Sequence, residues 1–140
     1  PAPNTDFVAI DAGESFSLGL KSDGTIVAWG DNGSGQCNVP APNADFVAVA
    51  AGYWHGLGVK SDGTIVSWGR NDDGQCDVPI PHTGFADVGA GWYHSLGIRS
   101  DGTAVAWGSN AFGECDVPGS AEDIVAISGG TSHSLALTAP

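Results

Sequence analysis

The chain has few positive charges: four Lys and Arg residues stand against 16 Asp and Glu residues, and the formal net charge is −12. Because phosphate binding needs clustered Lys and Arg, this balance argues against a nucleic-acid partner. The sequence also lacks the run of about 18 apolar residues that a membrane-spanning helix needs, so no membrane partner is expected. The charge suits a neutral or basic protein partner.

Methionine is absent, and Lys and Glu, which favour helices, are scarce, whereas Gly accounts for 22 of the 140 residues. Together with frequent Val, Ile and Thr, this composition predicts short strands joined by tight turns. The first ten residues, PAPNTDFVAI, have neither the basic nor the apolar segment of a signal peptide, so no such peptide is expected within the sequence.

The dominant feature of the sequence is an internal repeat with a constant interval of 39 residues. Two short motifs carry it most clearly, Ser-Asp-Gly at 22–24, 61–63 and 100–102, and Trp-Gly at 29–30, 68–69 and 107–108. A single domain over residues 1–140 is therefore predicted, with repeats at 6–44, 45–83 and 84–122 and a half-repeat at 123–140. Repeats of this size are typical of arrays in which neighbouring units bury a shared core.

Each repeat contains four segments with the character of short antiparallel strands. In the second repeat these are FVAVAAG, HGLGVK, TIVSWG and GQCDVP, the last being an outer strand that its proline ends. The Asp and Gly of Ser61-Asp62-Gly63 are expected to adopt positive φ in a primed hairpin turn. Such a small sheet needs neighbours to cover both faces, which predicts an all-β β-propeller with four-stranded blades and about three and a half blades in this chain.

The unit VAAGYWHGLGVKSDGTIVSWGRNDDGQCDVP resembles the repeat of the regulator-of-chromosome-condensation family of propellers. The residues that carry the resemblance, each with equivalents one period away, are Gly52, His55, Leu57, Ser61-Asp62-Gly63, Trp68-Gly69, Asn71 and Gly74-Gln75. The compact period and the Val-Pro linker are closest to the bacterial branch, which includes a secreted inhibitor of class A β-lactamases. This likeness favours a secreted bacterial protein, and the unpaired thiols count against it.

The family resemblance implies a closed ring of seven blades, which needs about twice this length. The chain has four first halves of the repeat and three second halves, so neither one chain nor a simple dimer divides evenly into seven blades. Three arrangements remain open: a fragment of a longer propeller, a homo-oligomer whose copies complete a ring, and an open stack whose edges are covered by neighbours. Exposed strand edges favour assembly in each of them.

The recurring His and Cys residues are interpreted as structural. His55, His94 and His133 are equivalent, residues one blade apart diverge too far to share a metal ion, and Phe16 at the same position indicates packing, with the imidazoles bonding backbone between blades. Equivalent Cys37, Cys76 and Cys115 are expected to be small hydrophobic residues without a disulfide. No cofactor, metal site or enzyme activity is predicted, because catalysis needs non-equivalent residues in one place.

Two zones vary between repeats while the rest stays constant. One is the residue pair after the repeated glycine, and the other is the loop after Trp-Gly, in which an asparagine stays constant. Variable loop positions on a fixed scaffold are suited to recognition, and Tyr and Trp dominate binding hot spots. The predicted partner-binding residues are Tyr53, Trp54, Trp92, Tyr93, Asp31, Asp72, Asp73 and Phe112. The competing interpretation is that the aromatic residues only pack blade on blade.

The sequence therefore predicts a non-catalytic protein–protein interaction module that binds its partner through an aromatic and acidic loop face. One alternative is a structural, self-assembling protein whose blades complete a ring or stack with other copies. Others are a β-lactamase inhibitor, by resemblance alone, and a lectin, because aromatic and acidic loops also suit sugars.

Overall fold

The computed structural model describes residues 5–119 and 121–140, and all the regular secondary structure in this part of the chain is β-strand. Residues 1–4 and 120 of the predicted domain lie outside it. The strands are β1 (Phe7–Ala12), β2 (Phe16–Lys21), β3 (Ile26–Gly30), β4 (Phe46–Ala51), β5 (His55–Lys60), β6 (Ile65–Gly69), β7 (Phe85–Ala90), β8 (His94–Arg99), β9 (Ala104–Gly108), β10 (Ile124–Gly129) and β11 (Ser134–Thr138). The described residues contain no helix of the length and hydrophobicity needed to cross a bilayer.

The strands form three antiparallel sheets of three strands each, β1-β2-β3, β4-β5-β6 and β7-β8-β9, followed by the two-stranded sheet β10-β11. Equivalent strands of the three complete blades begin 39 residues apart, as the repeat predicts, and in the half-blade β10 keeps this interval while β11 begins one residue later. The prediction of an all-β chain with three and a half blades is confirmed. The described residues form an open array and not a closed ring.

The prediction of a fourth strand in each blade is wrong, because residues 35–40, 74–79 and 113–118, the GQCDVP segment and its equivalents, form turns and irregular structure. Their backbone groups are bonded elsewhere: the Cys37 amide donates to Asn32 Oδ1 at 2.9 Å, and the Gln36 carbonyl accepts Trp68 Nε1–H of the next blade at 2.8 Å. The proline that follows removes another donor. The segment thus covers the junction between two blades and does not extend either sheet.

The hairpin turns also differ from the prediction, since glycine alone takes positive φ. Gly24 has φ +80°, whereas Asp23 stays outside the left-handed region and its carboxylate accepts the Thr25 amide at 3.0 Å and the Thr25 hydroxyl at 2.7 Å. This arrangement is typical of a three-residue loop with a left-handed glycine. The two Thr25 bonds lower the pKa of the Asp23 carboxyl.

The hydrophobic core lies between adjacent blades. Leu57 and Val59 of the second blade pack with Phe85, Val88 and Trp107 of the third, and Leu57 is 0% exposed. The same arrangement joins the first blade to the second through Leu18, Leu20 and Phe46. The second and third sheets therefore use both faces as core, one toward the preceding blade and one toward the following blade.

A buried polar joint accompanies this core. His55 is 0% exposed, and its Nε2 lies 2.9 Å from the Ser95 hydroxyl of the next blade. That hydroxyl donates to the Gln75 carbonyl at 2.8 Å, so it accepts from His55 Nε2–H, and Nδ1 is left without a partner among the described residues. The prediction that the imidazole bonds the backbone directly is therefore wrong. The imidazole bonds the serine hydroxyl, and the hydroxyl in turn bonds the backbone carbonyl.

The same joint links the third blade to the half-blade. His94 Nε2 lies 2.9 Å from the Ser134 hydroxyl, which donates to the Glu114 carbonyl at 2.7 Å. Each ring lies directly against the repeated glycine, since a Cβ at Gly52 would collide with the His55 ring and come within 2.7 Å of the Gly91 carbonyl. The joint therefore requires glycine at positions 52 and 91.

The joint predicts a pH dependence of stability. Burial, and then the charge of His94, lowers the pKa of His55 from 6.5 to about 4. As the pH falls, the unfolded chain therefore takes up the proton before the folded chain does. The contribution of the neutral His55 to the free energy of unfolding is complete above pH 6.5 and is lost as the pH falls toward 4. At about 1.4 kcal/mol per pH unit, the expected loss for His55 is roughly 3 kcal/mol. Burial lowers the pKa of His94 too, so it acts in the same direction.

His55→Phe provides the matched variant, because Phe16 occupies the equivalent position and is buried there. Urea unfolding followed by circular dichroism between pH 5 and 7 should show a clearly smaller pH slope for this variant than for the wild type, because the imidazole that the unfolded chain protonates first is absent. An unchanged slope would contradict the account.

Candidate protein-binding site

The two variable zones lie at the same end of the blades. The first zone joins the first and second strands of a blade, and the second zone follows the third strand, so antiparallel pairing brings them together. Backbone bonds fix the contact: the amides of Asp31, Arg70 and Ser109 donate at 2.9 Å to the carbonyls of Ser15, Trp54 and Tyr93. All eight predicted residues therefore lie on one loop face, defined here as residues 14–15, 31–34, 53–54, 70–73, 92–93 and 109–112.

Four of the predicted residues form one aromatic cluster across two blades, namely Tyr53, Trp54, Trp92 and Tyr93. The Tyr53 ring centroid lies 4.3 Å from that of Trp54, 4.5 Å from that of Trp92 and 5.7 Å from that of Tyr93. Trp92 is 42% exposed, and the other three side chains are partly buried against one another. The cluster is thus stacked internally and still presents an aromatic surface.

Arg70 was not predicted, and it completes the cluster. Its guanidinium carbon lies 4.6 Å from the centroid of the Trp54 ring and 5.9 Å from that of Tyr93, within cation–π range. Its Nε also lies 2.7 Å from Asp72 Oδ2, so the Asp72 carboxylate stands beside the aromatic rings. The sequence signal for this role was that Arg70 is the single cation in the two variable zones, at a position that Asp31 and Ser109 occupy in the other repeats.

A groove of about 300 Å³ opens beside the cluster, with small residues along its floor. Repeated alanines and glycines line it, together with Glu14, Tyr53 and Trp92. Desolvation by neighbouring groups, and then the negative charge of Glu14, raises the pKa of the Tyr53 hydroxyl. This hydroxyl is therefore a protonated hydrogen-bond donor beside a carboxylate.

The loops of the second zone are braced from within. Asn32 donates from Nδ2 to Asn38 Oδ1 at 2.9 Å, and Asn71 and Asn110 make the equivalent bonds to Asp77 and Asp116. The asparagine that stays constant between repeats thus holds the loop, as its constancy suggested.

The remaining predicted residues differ in exposure and in the hydrogen bonds that they already make within their own loops. Asp31 Oδ2 accepts Gln36 Nε2–H at 2.7 Å, so part of this carboxylate is used inside its own loop. The Asp73 side chain is exposed, and its backbone amide donates to Gln75 Oε1 at 3.0 Å. Phe112 is 78% exposed, the largest exposed fraction of any aromatic residue described, while its amide donates to Glu114 Oε2 at 2.7 Å.

The cysteines and acids do not form a second site in the described residues. The thiols of Cys37, Cys76 and Cys115 are free, and each donates to a backbone carbonyl in its own loop. Burial, and then the charges of Glu114 and Asp116, raises the pKa of the Cys115 thiol to about 11. Residues 5–119 and 121–140 contain no group of three metal-ligating side chains placed to hold an ion.

Solved structures similar to this chain are long propellers. They include Prp20p from Saccharomyces cerevisiae (TM-score 0.76, 21% identity, 94% of this chain and 43% of that chain). The ectodomain of the Physcomitrella patens receptor kinase CR4 has a TM-score of 0.77 and 22% identity, and the match covers 94% of this chain and 38% of that chain. Human WBSCR16 has a TM-score of 0.76 and 18% identity, and the match covers 94% of this chain and 44% of that chain. At these identities the likeness shows the fold alone, and the chain spans less than half of each of these proteins.

The repeats themselves identify the family. Residues 7–36, 46–75 and 85–114 match the Regulator of chromosome condensation (RCC1) repeat, and each match runs from the first strand of a blade to its buried Gln or Glu. The comparison with curated proteins gives no match. Because the three matches cover more than half of the sequence, the chain belongs to the regulator of chromosome condensation repeat family.

Proposed function

We propose that this chain is a protein-interaction module that binds a neutral or basic partner through the loop face. The observation that carries the proposal is the aromatic cluster, because a partly exposed group of Tyr and Trp side chains is the composition of an interface centre. Prp20p offers a precedent within the fold, since its structure was reported with its binding to Gsp1p and histones. The net charge of −12 favours a basic partner.

The distribution of polar groups also supports a binding role without catalysis. Two acids of the loop face are engaged by neighbours, since Asp31 accepts a hydrogen bond from Gln36 and Asp72 pairs with Arg70. The buried imidazoles lie inside the blade joints and are held neutral by the burial that lowers their pKa values. Neither set provides an acid and a base that converge on one accessible point, which general acid–base chemistry requires.

The most exposed aromatic residues of the face should dominate binding. Trp92→Ala with Phe112→Ala should weaken binding at least about tenfold, because hot-spot aromatic residues contribute about 2 kcal/mol or more. The probe is a set of peptides selected on the immobilised protein from a random-peptide display library, with affinities then measured by calorimetry.

Ile80→Ala is the matched control. Ile80 is 84% exposed and lies in the linker at the opposite end of the blades, where the Phe85 amide donates to the Gly63 carbonyl. Peptides selected on the wild type should bind this control normally. If the double variant binds them within twofold of the wild type, or loses thermal stability without losing binding, the cluster serves packing and the proposal fails.

Self-assembly is the second candidate, and the two end blades favour it. In the first blade Trp29 is 49% exposed, whereas the equivalent Trp68 is 5% exposed; in the half-blade Leu137 is 62% exposed, whereas the equivalent Val59 is 0% exposed. The surface exposed at each end is therefore one that inner blades bury against a neighbour. A second copy docked head to tail would cover both surfaces, with His133 opposite Ser17 of that copy.

Sedimentation velocity at several concentrations tests this candidate. The wild type should associate as its concentration rises, and Leu137→Glu should remain monomeric because the carboxylate would be buried in the contact. Val47→Glu is the control, since Val47 is 55% exposed on an inner blade and should leave association unchanged. A wild type that stays monomeric throughout would exclude this mode of assembly.

A further inference from the structure

The groove beside the aromatic cluster contains hydrogen-bond acceptors that the described part of the chain does not satisfy. Gly52 and Gly91 line it and are buried, and their carbonyl oxygens accept no hydrogen bond from any described residue. The equivalent Gly130 carbonyl, in contrast, accepts the Trp92 amide at 3.1 Å. Because buried carbonyl groups are nearly always paired, the two unpaired oxygens in successive blades indicate a place for donors from another molecule.

Two further acceptors lie behind the glycines of the groove. Nδ1 of His55 and Nδ1 of His94 have no partner among the described residues, and both side chains are 0% exposed. A Cβ at Gly52 or Gly91 would lie 2.5 Å from the Nδ1 atom of the histidine in the same blade, so each ring lies directly against a groove glycine. Since both rings donate from Nε2, each Nδ1 carries a lone pair. The floor of the groove therefore concentrates partial negative charge on neutral groups, which favours a cationic ligand.

The sides of the groove supply a carboxylate and an aromatic ring. Glu14 is exposed, and its backbone amide donates to the Tyr53 carbonyl at 3.4 Å, which holds this residue beside the aromatic cluster. Trp92 packs against Tyr53 with ring centroids 4.5 Å apart and is still 42% exposed. A planar cation that stacks on the exposed part of the indole would therefore have a carboxylate and unpaired carbonyl oxygens along the same groove.

The loop face already binds one guanidinium group in this way. Arg70 lies with its guanidinium carbon 4.6 Å from the centroid of the Trp54 ring, and its Nε lies 2.7 Å from Asp72 Oδ2. An indole and a carboxylate together thus hold an arginine side chain on this surface. Trp92 and Glu14 offer the same two groups at the groove, where the chain places no cation of its own.

We propose that the groove receives an arginine side chain of the protein partner, an inference that rests on the proposed function and adds the residue that the partner contributes. The guanidinium would stack on Trp92, pair with the Glu14 carboxylate and donate to the Gly52 and Gly91 carbonyls. Arginine suits this site better than lysine, because its planar fork has five donors and is more weakly hydrated than an ammonium group. The volume of about 300 Å³ lies at the lower end of the range for ligand sites, as is suitable for one side chain.

The probe is N-acetyl-L-arginine N-methylamide, which carries the side chain and no other charge. Its binding to the nitrogen-15-labelled full chain is followed by NMR, and millimolar affinity is expected. The Trp92 indole signal should shift and saturate, as should the amide signals of Tyr53 and Trp92, which share peptide units with the Gly52 and Gly91 carbonyls. The indole signal of Trp107, which is buried between blades, should not move.

Two related probes test the chemistry of the ligand. The citrulline derivative has nearly the same shape and no charge, so it should bind at least about tenfold more weakly. The lysine derivative has the charge without the planar fork, and it should also bind more weakly than the arginine derivative.

Two protein variants test the carboxylate. Glu14→Gln removes its charge and should weaken binding of the arginine derivative at least about tenfold, while the citrulline derivative should bind this variant and the wild type alike. Glu122→Gln is the matched control, because Glu122 is exposed at the opposite end of the blades, where the Ile124 amide donates to the Gly102 carbonyl. This control should bind the arginine derivative normally.

Equal binding of the arginine derivative and either related probe, or unchanged binding by Glu14→Gln, would overturn the proposal. The peptides selected on the wild type separate this failure from failure of the proposed function. If they bind through Trp92 and Phe112 but contain no arginine whose replacement by citrulline weakens binding, the arginine site is wrong and the interaction module stands. If the Trp92→Ala, Phe112→Ala variant binds them as the wild type does, the proposed function fails and this inference fails with it.

Discussion

The structure depends on one joint that occurs twice, in which a buried imidazole, a serine hydroxyl and a backbone carbonyl connect the second blade to the third and the third blade to the half-blade. The serine has a single proton and gives it to the carbonyl of Gln75 or Glu114, so the imidazole must donate from Nε2. Burial, which lowers the pKa of both imidazoles, keeps them neutral at pH 7. The repeated glycine leaves room for the ring. Because leucine and valine side chains surround this joint, the spacing of the blades is fixed by polar geometry as well as by apolar contact.

The joint explains why variation is confined to the loop face. Residues inside the interface are dictated by the neighbouring blade, whereas residues 53–54 and 92–93 lie beyond the joint and are free to differ. In two adjacent blades this freedom places four aromatic rings in contact with one another, beside Arg70 and the Asp72 carboxylate. A rigid scaffold thus presents a pre-organised aromatic surface, and such surfaces lose little conformational entropy on binding.

The period of 39 residues predicted the blades, their number and the placement of the variable positions at one end. It did not predict that the fourth segment of each repeat stays out of the sheet. The cysteine amide of that segment donates to the side chain of Asn32, Asn71 or Asn110. The alternation of residue types along the sequence does not reveal such a bond. The two serine partners, Ser95 and Ser134, share their repeat position with Ser17 and Gly56, so the repeat alone does not mark the position as part of the joint. The role of Arg70 rests on its packing against Trp54 and against Tyr93 of the next blade, contacts that its position in the loop does not reveal.

The charge state of the buried imidazoles tests this account most directly. Nitrogen-15 NMR of histidine-labelled protein, recorded from pH 7.5 down to 5, should show His55 as a neutral Nε2–H tautomer throughout. His94 should show the same tautomer at pH 7.5 and a pKa below its usual range, and both Nε2 protons should exchange slowly. If His55 and His94 titrate near pH 6.5, or carry their proton on Nδ1, the imidazole does not form the proposed joint.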